Sequence, residues 1–210
     1  MHYKRNQVEE AISHLFGEQA AKSSSGLRTR IKRLLDTDRS LPRNIRRSNR
    51  PEHANYAFYS SDSPGKGGEV SFSSYEAFAI MIGLQMLNHN WPQKFVVETL
   101  RRLRRELEEQ HKEILRLDPA ERFDEERIRL DAQPGTLVVN TASPIFLLIW
   151  SDQRSANYPA PSAGIYNNHD AFAVTIAKAG RSSTWLELTR LAHALSAQLS
   201  ASLPRKRGRS

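Results

Sequence analysis

Apolar residues recur at helical spacing over the first part of the chain. One stripe predicts a first helix over residues 4–16, with Gly17 as its C-terminal stop. A second stripe predicts a second helix over about residues 27–36, preceded by a Ser-rich turn that can cap it. The stripes consist of Val8, Ala11, Ile12, Leu15 and Phe16, and of Leu27, Ile31 and Leu34.

The second helix is basic on the side opposite its apolar stripe. Thr29, Lys32 and Arg33 are predicted to point away from the core, and Arg28 and Arg30 flank them. Two short helices joined by a turn, the second with an outward basic face, have the pattern of a helix-turn-helix. The pattern therefore predicts a recognition helix that lies against phosphates.

The next part of the chain predicts a long basic loop and then a hairpin. Residues 37–55 lack apolar periodicity and are rich in Arg, Asn, Ser and Pro. Two strand-like segments follow, residues 56–59 and 69–72, separated by the turn sequence SSDSPGKGG with Lys66 at its tip. A hairpin beside a recognition helix is a wing, so the pattern predicts a winged helix-turn-helix.

Two more helices are predicted after the hairpin. Ser73 and Glu76 form a capping-box pattern at the start of an apolar helix. Gly83 in this helix is expected at a close packing contact, because glycine costs a helix about 1 kcal/mol relative to alanine. The sequence NHN ends the helix, and Pro92 suits the first turn of a fourth helix that extends to about Leu117.

The fourth helix has apolar residues at the 3-4 spacing of a short coiled coil. We expect it to form a homodimer through this stripe; the alternative is a helix that lies on the core of its own domain. The cations on this helix are predicted to form a solvated face, paired with Glu106 and Glu108. The stripe comprises Leu100, Leu103, Leu107 and Ile114, and the cations are Arg101, Arg102, Arg104 and Arg105.

The C-terminal part of the chain predicts a small sheet with one helix. Strands are expected over residues 136–140, 145–150 and 171–177, with a loop over residues 151–169. Thr184 is predicted to cap a last helix that extends to Leu203. Aromatic residues in this part could line a pocket, but their spacing favours a core; they are Phe146, Trp150, Tyr166, Phe172 and Trp185.

These elements predict an α+β protein. Residues 1–117 form a winged helix-turn-helix domain with a helix pair and a dimer helix, and residues 118–134 form a charged linker. Residues 135–203 form a small α/β domain whose role the sequence leaves open, and residues 204–210 form a basic disordered tail.

The charge of the chain points to a polyanionic partner. The formal net charge is +8 and the sequence pI is about 10.0. Residues 1–60 carry 12 Lys and Arg against 6 Asp and Glu, so the cations cluster around the predicted recognition helix. No signal peptide or membrane span is visible, and we expect the protein in the cytoplasm, at the nucleoid.

Enzymatic motifs and metal-ligand patterns are missing from the sequence. The chain has no cysteine, which excludes thiolate metal sites and cysteine nucleophiles. The seven histidines are not at ligand spacing, and SPGKGGEV matches no nucleotide-binding fingerprint. We therefore expect neither a cofactor, a metal nor an enzymatic activity.

The candidate DNA-binding residues fall into three groups. The recognition helix supplies residues for base edges, the following loop supplies arginines for phosphates, and the wing supplies weaker candidates. In that order, these residues are Arg28, Thr29, Arg30, Lys32 and Arg33; Arg43, Arg46, Arg47 and Arg50; and Tyr56 and Lys66.

The order of these elements resembles the MerR-type winged helix-turn-helix regulators over residues 3–117. The segments that carry the resemblance are YKRNQVEEAISHLF, SGLRTRIKRLL, NYAFY, FSSYEAFAIMIGLQML and NHNWPQKFVVETLRRLR. The long arginine-rich loop, the extended wing tip and the short dimer helix depart from that family. The resemblance implies a dimer that binds duplex DNA through the recognition helix and wing and regulates transcription. Ligand sensing does not carry over from it, because residues 135–203 match no part of that family; RNA polymerase and a small ligand are further candidate partners of the chain.

Two other functions compete with sequence-specific regulation. The arginine-rich loop and basic tail also fit a nonspecific architectural, replication or partition protein of a mobile element. An enzyme in the second domain, targeted by the first, would require polar groups clustered in a cleft. The expected function is nevertheless a dimeric, sequence-specific regulator of transcription.

Overall fold

A computed structural model describes residues 1–17, 25–43, 51–60, 70–117, 144–150, 161–179 and 183–202. The protein is α+β, as the sequence predicts. It divides into two compact units, Met1–Arg105 with Ala194–Ser210, and Glu106–His193. This division differs from the predicted domain boundaries at residues 117 and 135. In the first unit, Gln7 Nε2 donates to the carbonyl oxygen of Ser202 at 2.8 Å, which joins the first helix to residues beyond 193.

The first unit contains a two-stranded sheet and several helices. Strand β1 (His2–Lys4) pairs antiparallel with β2 (Ser71–Ser73), with Tyr3 opposite Phe72. The helices are α1 (Arg5–Leu15), α2 (Ser25–Ser40), α3 (Pro51–Ala54) and α4 (Ser74–Asn88), and α5 (Gln93–Arg116) begins in this unit. The helices predicted from apolar periodicity are therefore present.

Helices α1 and α2 confirm the two apolar stripes. Gly17 has a φ of 71°, the left-handed conformation that stops a helix. Helix α2 is longer than predicted because its buried stripe continues through Leu35 to Asp38. Nine residues separate α1 from α2, whereas a compact helix-turn-helix uses a turn of about three to four residues.

The predicted wing is wrong in its first strand. Residues 56–59 form no strand, and β2 pairs with β1 instead of with them. The backbone groups that a hairpin would use have side-chain partners: Asp38 accepts the N–H groups of Ala57 and Phe58, and Arg104 donates to carbonyl oxygens of this segment. The remainder of the predicted hairpin, including Lys66, lies outside the described residues.

Helix α4 begins at the predicted capping box. Glu76 N donates to Ser73 Oγ at 3.2 Å, and Ser73 N donates to Glu76 Oε2 at 2.7 Å. Gly83 confirms the expected close packing, because a Cβ there would lie 3.3–3.4 Å from atoms of Leu34, Leu100 and Phe58. Glycine at this position thus lets α4 approach α2 and α5 closely.

Helix α5 is packed on the protein's own core. All four residues of the predicted dimer stripe, Leu100, Leu103, Leu107 and Ile114, are buried within the single chain. The predicted homodimer interface through these side chains is therefore wrong, and the alternative of a helix on its own core is confirmed. Apolar residues at 3-4 spacing fit either role, because this spacing indicates only that one face of the helix is buried.

The second unit contains a three-stranded antiparallel sheet in the order β4-β3-β5. Strand β3 (Phe146–Trp150) pairs with β4 (Ser162–Tyr166) and with β5 (Ser183–Glu187). Helices α6 (His169–Ala179) and α7 (Leu188–Ala201) follow β4 and β5, and α7 extends beyond this unit. Strand β3 confirms the prediction over residues 145–150. The predicted strand over residues 136–140, the linker over 118–134 and the tail over 204–210 lie outside the described residues.

Three predictions for the second unit are wrong. Residues 171–177 are part of α6, because Asn168 Oδ1 accepts the N–H groups of Asp170 and Ala171 and starts a helix there. Strand β4 lies within the predicted loop. The last helix begins at Leu188, where Glu187 accepts backbone N–H groups, and not at Thr184. The sheet therefore has two helices after its strands instead of one.

The aromatic side chains of this unit form a core cluster. The rings of Phe146 and Phe172 stack with centroids 4.3 Å apart. Trp150 and Tyr166 pack against them, which confirms the core interpretation for these four residues. Trp185 differs, since 52% of its surface is exposed although its ring edge meets Phe146.

His111 of α5 is buried in this unit, and its burial predicts that the free energy of unfolding depends on pH. Burial, followed by the charges of His193 and Lys112, lowers the pKa of His111 to about 4. The unfolded chain binds this proton near the ordinary histidine pKa of about 6.5, so the free energy of unfolding is highest above that pH and decreases as the pH falls toward 4.

Between pH 7.5 and pH 5, we expect the free energy of unfolding to decrease by about 2 kcal/mol, and we expect a smaller decrease in the His111→Gln variant. Urea denaturation at both pH values measures the free energy of unfolding. An equal decrease in the native chain and in His111→Gln would contradict the role of His111.

Candidate nucleic-acid interface

One face of α2 exposes the residues predicted to contact DNA. Thr29, Lys32, Arg33 and Asp36 are exposed and lie on the side of α2 opposite its buried stripe. We refer to these four residues as the α2 ridge. The buried stripe consists of Leu27, Ile31, Leu34, Leu35 and Asp38. The ridge carries two cations, one anion and a hydroxyl group that bonds to the carbonyl oxygen of Ser25 at 2.8 Å.

Arg28 flanks the ridge on the side of α1. Its Nε lies 3.6 Å from Glu9 Oε2, while Glu9 Oε1 accepts a 2.7 Å hydrogen bond from Arg5 Nε. The Glu9 side chain is 11% exposed, whereas those of Arg28 and Arg5 are 56% and 36% exposed. A nearly buried carboxylate thus holds two accessible guanidinium groups beside the ridge.

Arg30 flanks the ridge on the opposite side and contacts α4. Its Nη2 donates to Asn88 Oδ1 at 2.5 Å and to the carbonyl oxygen of Leu84 at 3.3 Å. A cation there neutralises the negative C-terminal end of α4. Gln93 also anchors this side, because its Nε2 donates to the carbonyl oxygen of Arg33 at 3.1 Å and to Thr37 Oγ1. Both sides of α2 are therefore attached to other helices.

The arginines at the end of α2 lie over tyrosine rings. Arg39 is 5.0 Å from the ring centroid of Tyr59, and Arg43 is 3.7 Å from that of Tyr56. Burial raises the pKa of Tyr59 to about 12. These cation–π contacts attach the basic residues after the ridge to the segment that follows them.

A buried ion pair beneath the ridge holds residues 56–59 in place. Arg101 Nε donates to Asp38 Oδ1 at 2.7 Å, and these side chains are 1% and 0% exposed. Arg101 also donates to backbone carbonyl oxygens of Asp38 and Leu41. The Asp38 carboxylate accepts the N–H groups of Ala57 and Phe58 at 2.9–3.0 Å. The charges are therefore both paired and hydrogen-bonded.

Arg104 completes this network from the next turn of α5. Its Nη1 donates to the carbonyl oxygens of Tyr56 and Tyr59 at 2.7 and 2.6 Å. Its Nη2 donates to Ser60 Oγ at 3.3 Å, and that hydroxyl donates to Glu76 at 2.7 Å. The prediction of a solvated arginine face is wrong for Arg101 and Arg104, which are buried. Their positions one turn after Val97 and Leu100, on the apolar face, were the signal in the sequence.

The predicted DNA-binding residues are thus only partly assembled. Thr29, Lys32 and Arg33 share the ridge, Arg28 and Arg30 flank it, and Arg43 contacts the ring of the half-buried Tyr56. Arg46, Arg47, Arg50 and Lys66 lie outside the described residues. Within the described ranges, no group of three or more metal-ligating side chains could hold a metal ion. No helix in the same ranges is long and apolar enough to cross a bilayer.

Comparison with known proteins adds no family to these observations. A scan against protein-family models and a search of the curated proteins found no match to the chain.

Proposed function

We propose that this protein binds double-stranded DNA, with the α2 ridge in the major groove. The observation that carries the proposal is the exposure of Thr29, Lys32 and Arg33 on one face of a helix whose opposite face is buried. A helix fits the width of the major groove, where Lys and Arg can pair with guanine and Thr with several bases. The anchoring of both sides of α2 supports this, because a rigid helix presents its side chains in a fixed register.

The charges around the ridge favour contacts with the DNA backbone on both of its strands. Arg28 and Arg5 lie on the α1 side, and Arg39 and Arg43 lie toward the C-terminal end of α2. Cations beside a groove-binding helix neutralise phosphates, which orient the helix without reading the sequence. Within this proposal the protein regulates transcription; only the sequence resemblance to MerR-type regulators over residues 3–117 supports that role, since the first wing strand is absent and the predicted dimer stripe is buried.

Selection from a random-sequence duplex library tests the proposal. The purified full-length chain is expected to retain a fraction of the library and to enrich one motif over successive rounds, and a steep loss of affinity with added salt should accompany binding. Retention without an enriched motif would indicate an architectural DNA-binding protein instead of a sequence-specific regulator. No retention at low salt would overturn DNA binding altogether.

A further inference from the structure

We infer that Glu9 is a positioning residue for DNA binding, which acts by orienting Arg28 and Arg5 toward the backbone phosphates beside the α2 ridge. The inference rests on the proposed function and deepens it, because an acidic residue would then increase affinity for a polyanion. Glu9 uses both carboxylate oxygens, one for each arginine, at 3.6 Å from Arg28 Nε and 2.7 Å from Arg5 Nε.

The placement of Glu9 distinguishes it from Asp36, an acidic residue of the ridge itself. Glu9 lies on α1 and is 11% exposed, so its own charge is largely shielded from a ligand, whereas both arginines remain accessible. Asp36 lies on the ridge itself, and its side chain is 53% exposed. A phosphate at the ridge would meet the charge of Asp36 directly but would meet Glu9 through the guanidinium groups that it holds.

Fixing the orientation of Arg28 and Arg5 before DNA binds lowers the entropy cost of binding. Arginine has many rotamers, and each flexible side chain that is fixed on binding costs affinity. A carboxylate that accepts a hydrogen bond from Arg5 Nε and forms an ion pair with Arg28 restricts those rotamers before the DNA arrives. The two arginines come from the first turn of α1 and the first turn of α2, so one carboxylate aligns cations from two helices.

The direction in which Glu9→Gln changes the affinity for DNA distinguishes a positioning role from a simple effect of charge. Glu9→Gln raises the net charge by one, so electrostatics alone would strengthen binding to DNA. Positioning instead predicts weaker binding, by about three- to tenfold, and a salt slope lower by about 0.9 as one phosphate contact is lost. The matched control Glu98→Gln makes the same charge change on α5, where the Glu98 side chain is 45% exposed and pairs with Lys94, and it should leave binding unchanged or slightly stronger.

A double-mutant cycle identifies the side chain through which Glu9 acts. In an Arg28→Ala background, Glu9→Gln should have less than half of its effect in the native chain. Fluorescence anisotropy with a labelled mixed-sequence duplex measures all of these affinities, and circular dichroism verifies that each variant folds. Stronger binding by Glu9→Gln, or the same weakening in both backgrounds, would overturn the inference while leaving DNA binding intact. A native chain that fails to bind the duplex would overturn both.

Discussion

Replacing Asp38 by alanine is expected to lower the free energy of unfolding by about 3–5 kcal/mol. The substitution leaves the Arg101 guanidinium buried without its carboxylate partner, and it removes the acceptor of the Ala57 and Phe58 N–H groups. An uncompensated buried charge costs more than the lost attraction alone, because its desolvation is no longer offset. Urea denaturation followed by circular dichroism measures the change.

Asp36→Ala is the matched control, since it removes the same side chain from the same helix. Asp36 is exposed and lies 3.8 Å from the exposed Arg39, so its loss should cost about 0.5 kcal/mol or less. In an Arg101→Met background, Asp38→Ala should cost clearly less than it does alone, because no buried cation is left unpaired. Similar costs for Asp36→Ala and Asp38→Ala would contradict the proposed role of the buried network.

Replacing Lys32 and Arg33 together by alanine is expected to weaken duplex binding about 100-fold. Each side chain would lose either a base contact, worth about 1–3 kcal/mol, or a phosphate contact. Both are exposed and lie opposite the apolar stripe, so the fold should be retained. Anisotropy titrations between about 50 and 200 mM salt would show the weaker affinity and the reduced salt slope.

The double variant Lys112→Ala, Arg116→Ala controls for the loss of two positive charges. These residues lie on the C-terminal half of α5, with side chains 70% and 72% exposed. Because they are not on the ridge, their loss should change affinity only a few-fold, through long-range electrostatics. Equal weakening by the two double variants would mean that net charge, and not the α2 ridge, determines binding.

Elements with strong local signals could be predicted from the sequence. The periodic stripes located α1, α2, α4 and α5, and the Ser73–Glu76 pattern located the start of α4, because periodicity and capping depend on nearby residues. The same stripe showed that Thr29, Lys32 and Arg33 would be exposed. Exposure on one face follows directly from burial of the other.

The missed features depend on residues far apart in the chain. Residues 56–59 have strand-like composition, but Asp38 and Arg104 occupy their backbone groups. Phe172 and Ile176 fit an alternating strand and also an i, i+4 helical pair, and the cap at Asn168 decides for the helix. Arg30 could not be assigned to the end of α4, because that contact depends on how α2 and α4 pack.

The most direct measurement places a DNA-cleaving group on the ridge. The chain has no cysteine, so Thr29→Cys provides a single attachment point for an iron–EDTA reagent. If the α2 ridge lies in the groove, the conjugate bound to a mixed-sequence duplex cuts the DNA backbone well above the level produced by unattached reagent. A conjugate that binds the duplex but leaves it uncut would contradict the placement of α2 in the groove.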